Sequence, residues 1–159
     1  GLLILHAINL REQGASAKEI VEKIEEMKHK VHASFVIEKL DFLYKGGRCS
    51  SLQMLGANLL KIRPSILIVD GALSVHKKYK GKMSEVVRNF VIDTLKDNPS
   101  YDKATCFITY SSATPDMLQA AYETLQEFGN FENIMESRAG GTITSHCGKN
   151  TLGVLFIKN

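Results

Sequence analysis

Apolar residues recur along this chain with two spacings, one typical of helices and one typical of strands. Where they lie three or four residues apart they predict helices, and these fall at residues 2–13, 16–31, 40–46, 52–60, 86–95 and 115–129. Shorter apolar runs predict strands, and these fall at residues 33–37, 66–69, 73–77, 105–110, 134–138, 142–145 and 154–157. Strands that alternate with helices predict an α/β domain with a mixed β-sheet flanked by helices.

Two short motifs predict where elements begin and turn. Ser16 followed by Glu19 three residues later is a capping box, which predicts a helix start. Asp70-Gly71 lies between two predicted strands, and this pair suits the type I′ turn of a β-hairpin. We therefore expect a hairpin in the middle of the chain.

Composition narrows the class of protein. The 159 residues are 44% apolar and 23% charged, which is typical of one globular domain. No run of 18 apolar residues occurs, so no membrane span is predicted. Cys49, Cys106 and Cys147 are odd in number and widely spaced, which predicts reduced thiols in a cytoplasmic protein. Because the chain opens at Gly1 inside a helix-like apolar segment, we expect it to be a fragment.

Several common functional motifs are missing from the sequence. Gly148-Lys149 lacks the upstream glycine and the following serine or threonine of a phosphate-binding loop. His146 and Cys147 are adjacent, and neighbouring side chains on a strand point to opposite faces, so no metal site is predicted. No nucleophile elbow is present. The net charge of +3 is too small to indicate nucleic-acid binding.

Two glycine-flanked polar residues and one basic segment remain as candidates. Arg48 follows two glycines and His146 follows a predicted strand, and both residue types can donate to a carboxylate or phosphate. From the residues alone, a surface arginine and a satisfied core histidine are the favoured interpretation, and binding of such a group is the alternative. The basic segment 76–82 is typical of a protected edge strand, or of a docking patch for an acidic partner.

Several spaced motifs together resemble one family across essentially the whole chain. They are Leu40-x-x-Leu43-x-x-Gly46-Gly47-Arg48, Leu55-Gly56-x-x-Leu59-Leu60-x-Ile62-Arg63-Pro64, Asp70-Gly71 and His146-x-Gly148-x-x-Thr151-Leu152-Gly153. This series resembles the DegV family of bacterial fatty-acid-binding proteins. The resemblance implies that residues 1–159 are the C-terminal domain of a two-domain protein, with an N-terminal α/β domain outside this chain.

The resemblance also implies a function. It implies a carrier that buries a long-chain fatty acid between two domains, needs no cofactor of its own, and presents the carboxylate to a fatty-acid kinase subunit. Arg48 and His146 match the family positions at the carboxylate end. Lys80 matches the position associated with kinase docking, where the family usually has arginine. The carrier would not be an enzyme and would bind neither metal nor nucleic acid. It would have no transmembrane segment.

One departure and two rival functions accompany the resemblance. The family commonly has Gly-Pro-Gly after this histidine, and the chain has Gly148-Lys149-Asn150. Asparagine tolerates a positive φ, so we expect the turn to persist. A phosphotransferase or hydrolase that uses His146 as general base is the alternative. A structural fragment whose activity belongs to the missing half is the third hypothesis.

Overall fold

Helices and strands alternate along the part of the chain that the computed structural model describes, residues 1–47 and 62–159. The described helices are α1 Leu2–Glu12, α2 Ala17–Met27, α3 Asp41–Lys45, α4 Met83–Asp97, α5 Pro115–Phe128 and α6 Gly141–Cys147. The described strands are β1 Val31–Val36, β2 Arg63–Val69, β3 Ala72–Tyr79, β4 Thr105–Tyr110, β5 Asn133–Arg138 and β6 Leu152–Ile157. The predicted helix at residues 52–60 and the candidate Arg48 lie outside the described residues.

In the described ranges six strands form one sheet in the order β3-β2-β1-β6-β4-β5. Only β4 and β5 run parallel to each other, while the other neighbouring pairs are antiparallel. The predicted mixed sheet flanked by helices is therefore confirmed. The C-terminal strand β6 lies between β1 and β4, so the last residues of the chain hold the centre of the sheet together.

Helices α4 and α5 cover one face of the sheet over β1, β4 and β6. The side chains of α4 and α5 pack against alternate residues of β1, β4 and β6 and form the main core. The largest completely buried contributors to this core are Phe90, Ile108, Met117, Leu125 and Phe156. Burying each such side chain stabilises the fold by about 1.5–3 kcal/mol, so this face anchors the sheet.

The other face of the sheet is covered only in part. The backbone of Gly1, at the start of α1, lies against the ring of Phe107 on β4. The short helices α3 and α6 pack together beside the end of β1 and the start of β6. A stretch of β1, β6 and β4 between these helices remains open, and a cleft lies over it. None of the described helices has both the length and the apolar character needed to cross a membrane.

The predicted turn and cap geometries are confirmed. Asp70 and Gly71 have φ values of 50° and 77°, as a type I′ turn requires, and they join β2 to β3. The Ser16 hydroxyl accepts a hydrogen bond from the Glu19 amide, and the Glu19 carboxylate accepts one from the Ser16 amide at 2.8 Å. Both motifs act locally, which is why the sequence alone identified them.

Two element predictions are wrong. The expected strand at residues 142–145 is part of helix α6, so His146 lies in the last turn of a helix and does not follow a strand. The β-branched residues of this segment suggested a strand, but Gly148 ends a helix there with a φ of 75°. Val31 was assigned to the end of a helix, whereas a 3₁₀ turn at Lys28–Lys30 ends the helical segment and Val31 opens β1.

The hairpin turn allows a direct test of the local prediction. Gly71→Ala should lower the free energy of unfolding by about 1–2 kcal/mol, because alanine resists the left-handed conformation that Gly71 adopts. Asp70→Asn should leave it nearly unchanged, since asparagine tolerates a positive φ. Urea denaturation of both variants measures the difference. Equal midpoints for the two variants would contradict the turn assignment.

Candidate functional site

An apolar cleft of about 470 Å³ lies on the partly covered face of the sheet. Large apolar side chains that line it are Phe35, Leu43, Ile68, Leu73, Ile143 and Leu155. Two of them remain open to solvent in this chain, since Ile68 is 44% exposed and Ile143 is 54% exposed. Exposed apolar surface that rims a cleft is typical of a binding site for a ligand or a partner.

His146 lies at the edge of this cleft, in the last turn of α6. Its imidazole occupies space beside the backbone of Gly46, because a Cβ atom added at Gly46 would come within 3.0 Å of the imidazole Nδ1. Gly46 and Gly47 end helix α3 and directly precede Arg48. The structure thus brings together two motifs about a hundred residues apart in sequence. The position of the Arg48 side chain itself stays a prediction.

The end of α6 is fixed by hydrogen bonds to its last carbonyls. The Ser111 hydroxyl donates to the carbonyl of Gly148 at 2.5 Å, and the Thr151 hydroxyl donates to the carbonyl of Cys147 at 3.0 Å. The ring of Phe42 on α3 lies directly against Gly148, where a side chain would collide with it. Helix ends leave carbonyls without helical partners, so these contacts set the position from which His146 projects.

The turn after His146 persists without proline. Asn150 has a φ of 54°, so the expectation that asparagine would accept the left-handed conformation is confirmed. Its side-chain amide donates to the Glu38 carboxylate at 3.1 Å, and its backbone amide donates to the Ser112 hydroxyl at 3.2 Å. Two side chains from other connecting segments therefore hold the turn in place.

Hydroxyl groups near the cleft were missed by the sequence analysis, except for Thr151, which belongs to the motif that begins at His146. Thr109, Ser111, Thr142 and Thr151 all line the cleft. Thr109 shares a 2.7 Å hydrogen bond with Ser137, and two of the others cap the end of α6. Serine and threonine carry no spacing signal of their own, so only the fold shows that they gather here.

Lys80 lies in a different place from His146. It follows β3, which is confirmed as an edge strand, and its side chain is exposed. Two of its neighbours in the basic segment are paired, because Lys77 binds Asp97 at 2.7 Å and Lys82 binds Asp116 at 3.0 Å. Within the described ranges Lys80 makes no ion pair and does not line the cleft. The structure therefore does not bring Lys80 and His146 into one site.

The ion pairs at the edge strand shift the protonation of their members. The hydrogen bond from Lys77, followed by that from His76, lowers the pKa of Asp97. The hydrogen bond to Asp97 in turn raises the pKa of Lys77. These groups are exposed enough for solvent to weaken the pairs, so their main effect is to fix the orientation of β3 against α4.

A second, polar cavity of about 460 Å³ lies between the sheet and α4. His32 lines it, with its Nε2 2.8 Å from the Ser34 hydroxyl and its ring stacked on Phe156 at 4.6 Å between centroids. Burial, helped by the charges of Lys158 and His76, lowers the pKa of His32 to about 4. The described residues contain no cluster of three or more His, Cys, Asp or Glu that could hold a metal ion.

The mixed sheet and the apolar cleft define an α/β domain suited to binding an apolar ligand. Comparison with known proteins identifies the family. The family model described as "Uncharacterised protein, DegV family" matches residues 1–159. The chain therefore belongs to the DegV family, as the sequence motifs predicted.

Individual relatives agree with this assignment. The chain is 32% identical to a DegV domain-containing protein of Clostridium acetobutylicum over 99% of its own length and 55% of the relative. It matches the Streptococcus pneumoniae fatty acid kinase B3 protein, solved with linoleic acid, with a TM-score of 0.81, 23% identity and coverage of 99% of this chain and 55% of that one.

A third comparison is with a Thermotoga maritima protein whose solved structure is reported to reveal a fatty-acid-binding function. It gives a TM-score of 0.73 at 25% identity, with coverage of 99% of this chain and 54% of that one. The chain thus spans about half the length of the relatives that it matches.

The buried histidine predicts a pH dependence of stability. Well above pH 6.5 His32 is neutral in both the folded and the unfolded chain, so its ionisation takes no free energy of unfolding away there. As the pH falls from 6.5 to 4, the unfolded state binds a proton that the folded state resists. We expect a loss of about 3 kcal/mol over this window. Urea denaturation across the window measures it.

A control variant separates His32 from other titrating groups. His32→Gln keeps a hydrogen-bonding group but cannot titrate, so its free energy of unfolding should fall less steeply between pH 6.5 and pH 4. A slope equal to that of the wild type would assign the pH dependence to other residues.

Proposed function

We propose that this chain is the fatty-acid-binding part of a carrier that presents a long-chain fatty acid to a kinase subunit. The observation that carries the proposal is the apolar cleft with His146 at its edge. The comparisons support it, because one similar structure holds linoleic acid and another is reported to reveal fatty-acid binding. In this proposal residues 1–159 act as the C-terminal domain of a two-domain carrier.

The cleft has the properties that an acyl chain needs. Its volume of about 470 Å³ falls within the usual range of small-molecule sites. Each methylene group that leaves water contributes about 0.8 kcal/mol. Ile68 and Ile143 are still partly open to solvent, so full burial of an acyl chain requires a second wall. The additional length of the relatives is the proposed source of that wall.

The carboxylate needs polar partners at one end of the cleft. Burial of a charged head group without partners is costly, and each hydrogen bond to a charged group contributes about 1.5–3 kcal/mol. In the proposal His146 and Arg48 supply these bonds. The position of His146 beside Gly46, two residues before Arg48, supports this pairing.

The proposed kinase contact lies at Lys80. The side chain is exposed, and within the described ranges it makes no ion pair, whereas Lys77 and Lys82 are paired with aspartates. An unpaired rim charge is suited to steering an oppositely charged partner. In the proposal the kinase supplies ATP and metal, and the carrier supplies only the positioned acid.

Removal of the imidazole should weaken acid binding selectively. His146→Ala should lower the affinity for a long-chain fatty acid by about tenfold or more, because one hydrogen bond to the carboxylate is lost. The affinity for the alcohol of the same chain length should change much less, since an alcohol carries no charge. Displacement of a fluorescent acyl probe measures both affinities.

Ser145→Ala is the matched control for this experiment. Ser145 is exposed on the same helix turn and its hydroxyl donates to the carbonyl of Thr142 at 2.9 Å. Acid binding should survive this change. Equal affinities of wild type and His146→Ala for the acid would overturn the proposed role of His146. Turnover of an ester or of ATP by the chain alone, lost in His146→Ala, would favour the alternative enzyme instead.

Charge reversal at the edge strand should affect only the kinase step. Lys80→Glu should reduce kinase-dependent formation of acyl-phosphate, most strongly at low salt, and leave fatty-acid affinity unchanged, because a rim charge acts on encounter with the partner. The measurement is acyl-phosphate formation by the complete carrier and its kinase at several salt concentrations.

Lys103→Glu serves as the matched charge reversal at another exposed site. It makes the same change in net charge away from β3 and should leave the reaction intact. Equal turnover for Lys80→Glu and wild type at low salt would show that the basic segment only protects the edge of the sheet.

A further inference from the structure

The two glycines at the end of α3 occupy very different surroundings. Gly47 has a φ of 63°, which favours glycine, and a Cβ added there would meet nothing within 4 Å among the described residues. Gly46 has a φ of −76° and a ψ of −6°, a right-handed conformation open to any residue. Backbone conformation therefore explains the glycine at 47 and leaves the glycine at 46 unexplained.

The imidazole of His146 explains Gly46. A Cβ atom at this position would come within 3.0 Å of the imidazole Nδ1 and would lie 3.2 Å from the imidazole Cε1. The space that a side chain would need is the space that the ring occupies. We propose that Gly46 is a positioning residue for His146, and that the absence of a side chain there sets where the imidazole lies at the cleft.

The structure indicates which group would move if Gly46 carried a side chain. The backbone at the end of α6 is held by Ser111 and Thr151, and Gly148 packs against the ring of Phe42. The imidazole is the far end of a flexible side chain and, among the described residues, makes no hydrogen bond of this kind. An added methyl group would therefore displace the ring and leave the two helices in place.

The functional consequence rests on the proposed function. If His146 binds the carboxylate, a displaced imidazole no longer reaches it, and Gly46→Ala acts on the ligand without touching it. The positional claim itself does not need a ligand, because it concerns only the contact between the backbone of Gly46 and the ring. The two claims can therefore be tested separately.

The positional claim is tested by NMR on the chain without ligand. Gly46→Ala should shift the imidazole proton resonances of His146, and the nuclear Overhauser contacts between residue 46 and the ring should change. Gly141→Ala is the matched control, since it adds the same methyl group at the start of α6, the helix of His146, where no atom of the described residues lies within 4 Å. Gly141→Ala should leave the His146 resonances unchanged. If Gly46→Ala also left them unchanged, the proposal would be overturned.

A double-mutant cycle tests the consequence for binding. Gly46→Ala should weaken acid binding about as much as His146→Ala, and the double variant should be no weaker than His146→Ala alone, because the methyl group then has no ring to displace. If the losses in acid affinity of the two single variants multiplied in the double variant, Gly46 would act on binding independently of His146. That result would overturn the proposal.

Two further outcomes are also decisive. A Cβ at Gly46 would lie 3.1 Å from the carbonyl oxygen of Phe42 as well, so a folding defect in Gly46→Ala has two possible sources. If the added His146→Ala change restores folding to the Gly46→Ala variant, the imidazole ring causes the folding defect. If it does not restore folding, the proposal is wrong. If His146→Ala leaves acid binding unchanged while Gly46→Ala still moves the ring, the proposed function fails and the positional claim stands.

Discussion

The structure depends most on the pairing of β6 with both β1 and β4. Six register pairs join β6 to β1, and four join it to β4, so the last strand of the chain closes the centre of the sheet. Alternate residues of β6 then face opposite ways. Leu152, Val154 and Phe156 enter the main core, while Gly153 and Leu155 line the cleft. One strand thus provides both the stability of the domain and the floor of its candidate site.

The difference between the two faces of the sheet explains why a cleft exists at all. On the core face, α4 and α5 are each long enough to cover several strands. On the other face, α3 and α6 are short and pack mainly on each other. Buried apolar side chains stabilise a fold, whereas an uncovered apolar surface costs free energy unless something binds it. The open face is therefore the side of the domain where a ligand, a second domain or both would add stability.

The sequence predicted those parts of the fold that local rules control. The type I′ turn, the capping box and the asparagine turn all follow from one or two residues, and all are confirmed. The strand predicted at residues 142–145 is wrong because packing between α6 and α3 overrides the preference of β-branched residues for strands. No local sequence pattern contains that packing. This wrongly predicted segment belongs to α6, the helix that carries His146 at the candidate site. His146 was one of two glycine-flanked polar candidates in the sequence, the family resemblance assigned it to the carboxylate end, and its contact with Gly46 needed the fold.

The β2–β3 hairpin connects the two candidate functional regions. Ile68 and Leu73, near its turn, line the cleft, whereas Lys80 follows its other end. That end is fixed to α4, because the Tyr79 hydroxyl donates to Asp93 at 2.9 Å and Lys77 binds Asp97 at 2.7 Å. These bonds orient the hairpin base and pair Lys77, whereas Lys80 makes no ion pair with the described residues. Because its ladder is anchored at the base, a single hairpin holds Ile68 and Leu73 at the cleft and the proposed docking residue Lys80 in a constant relation.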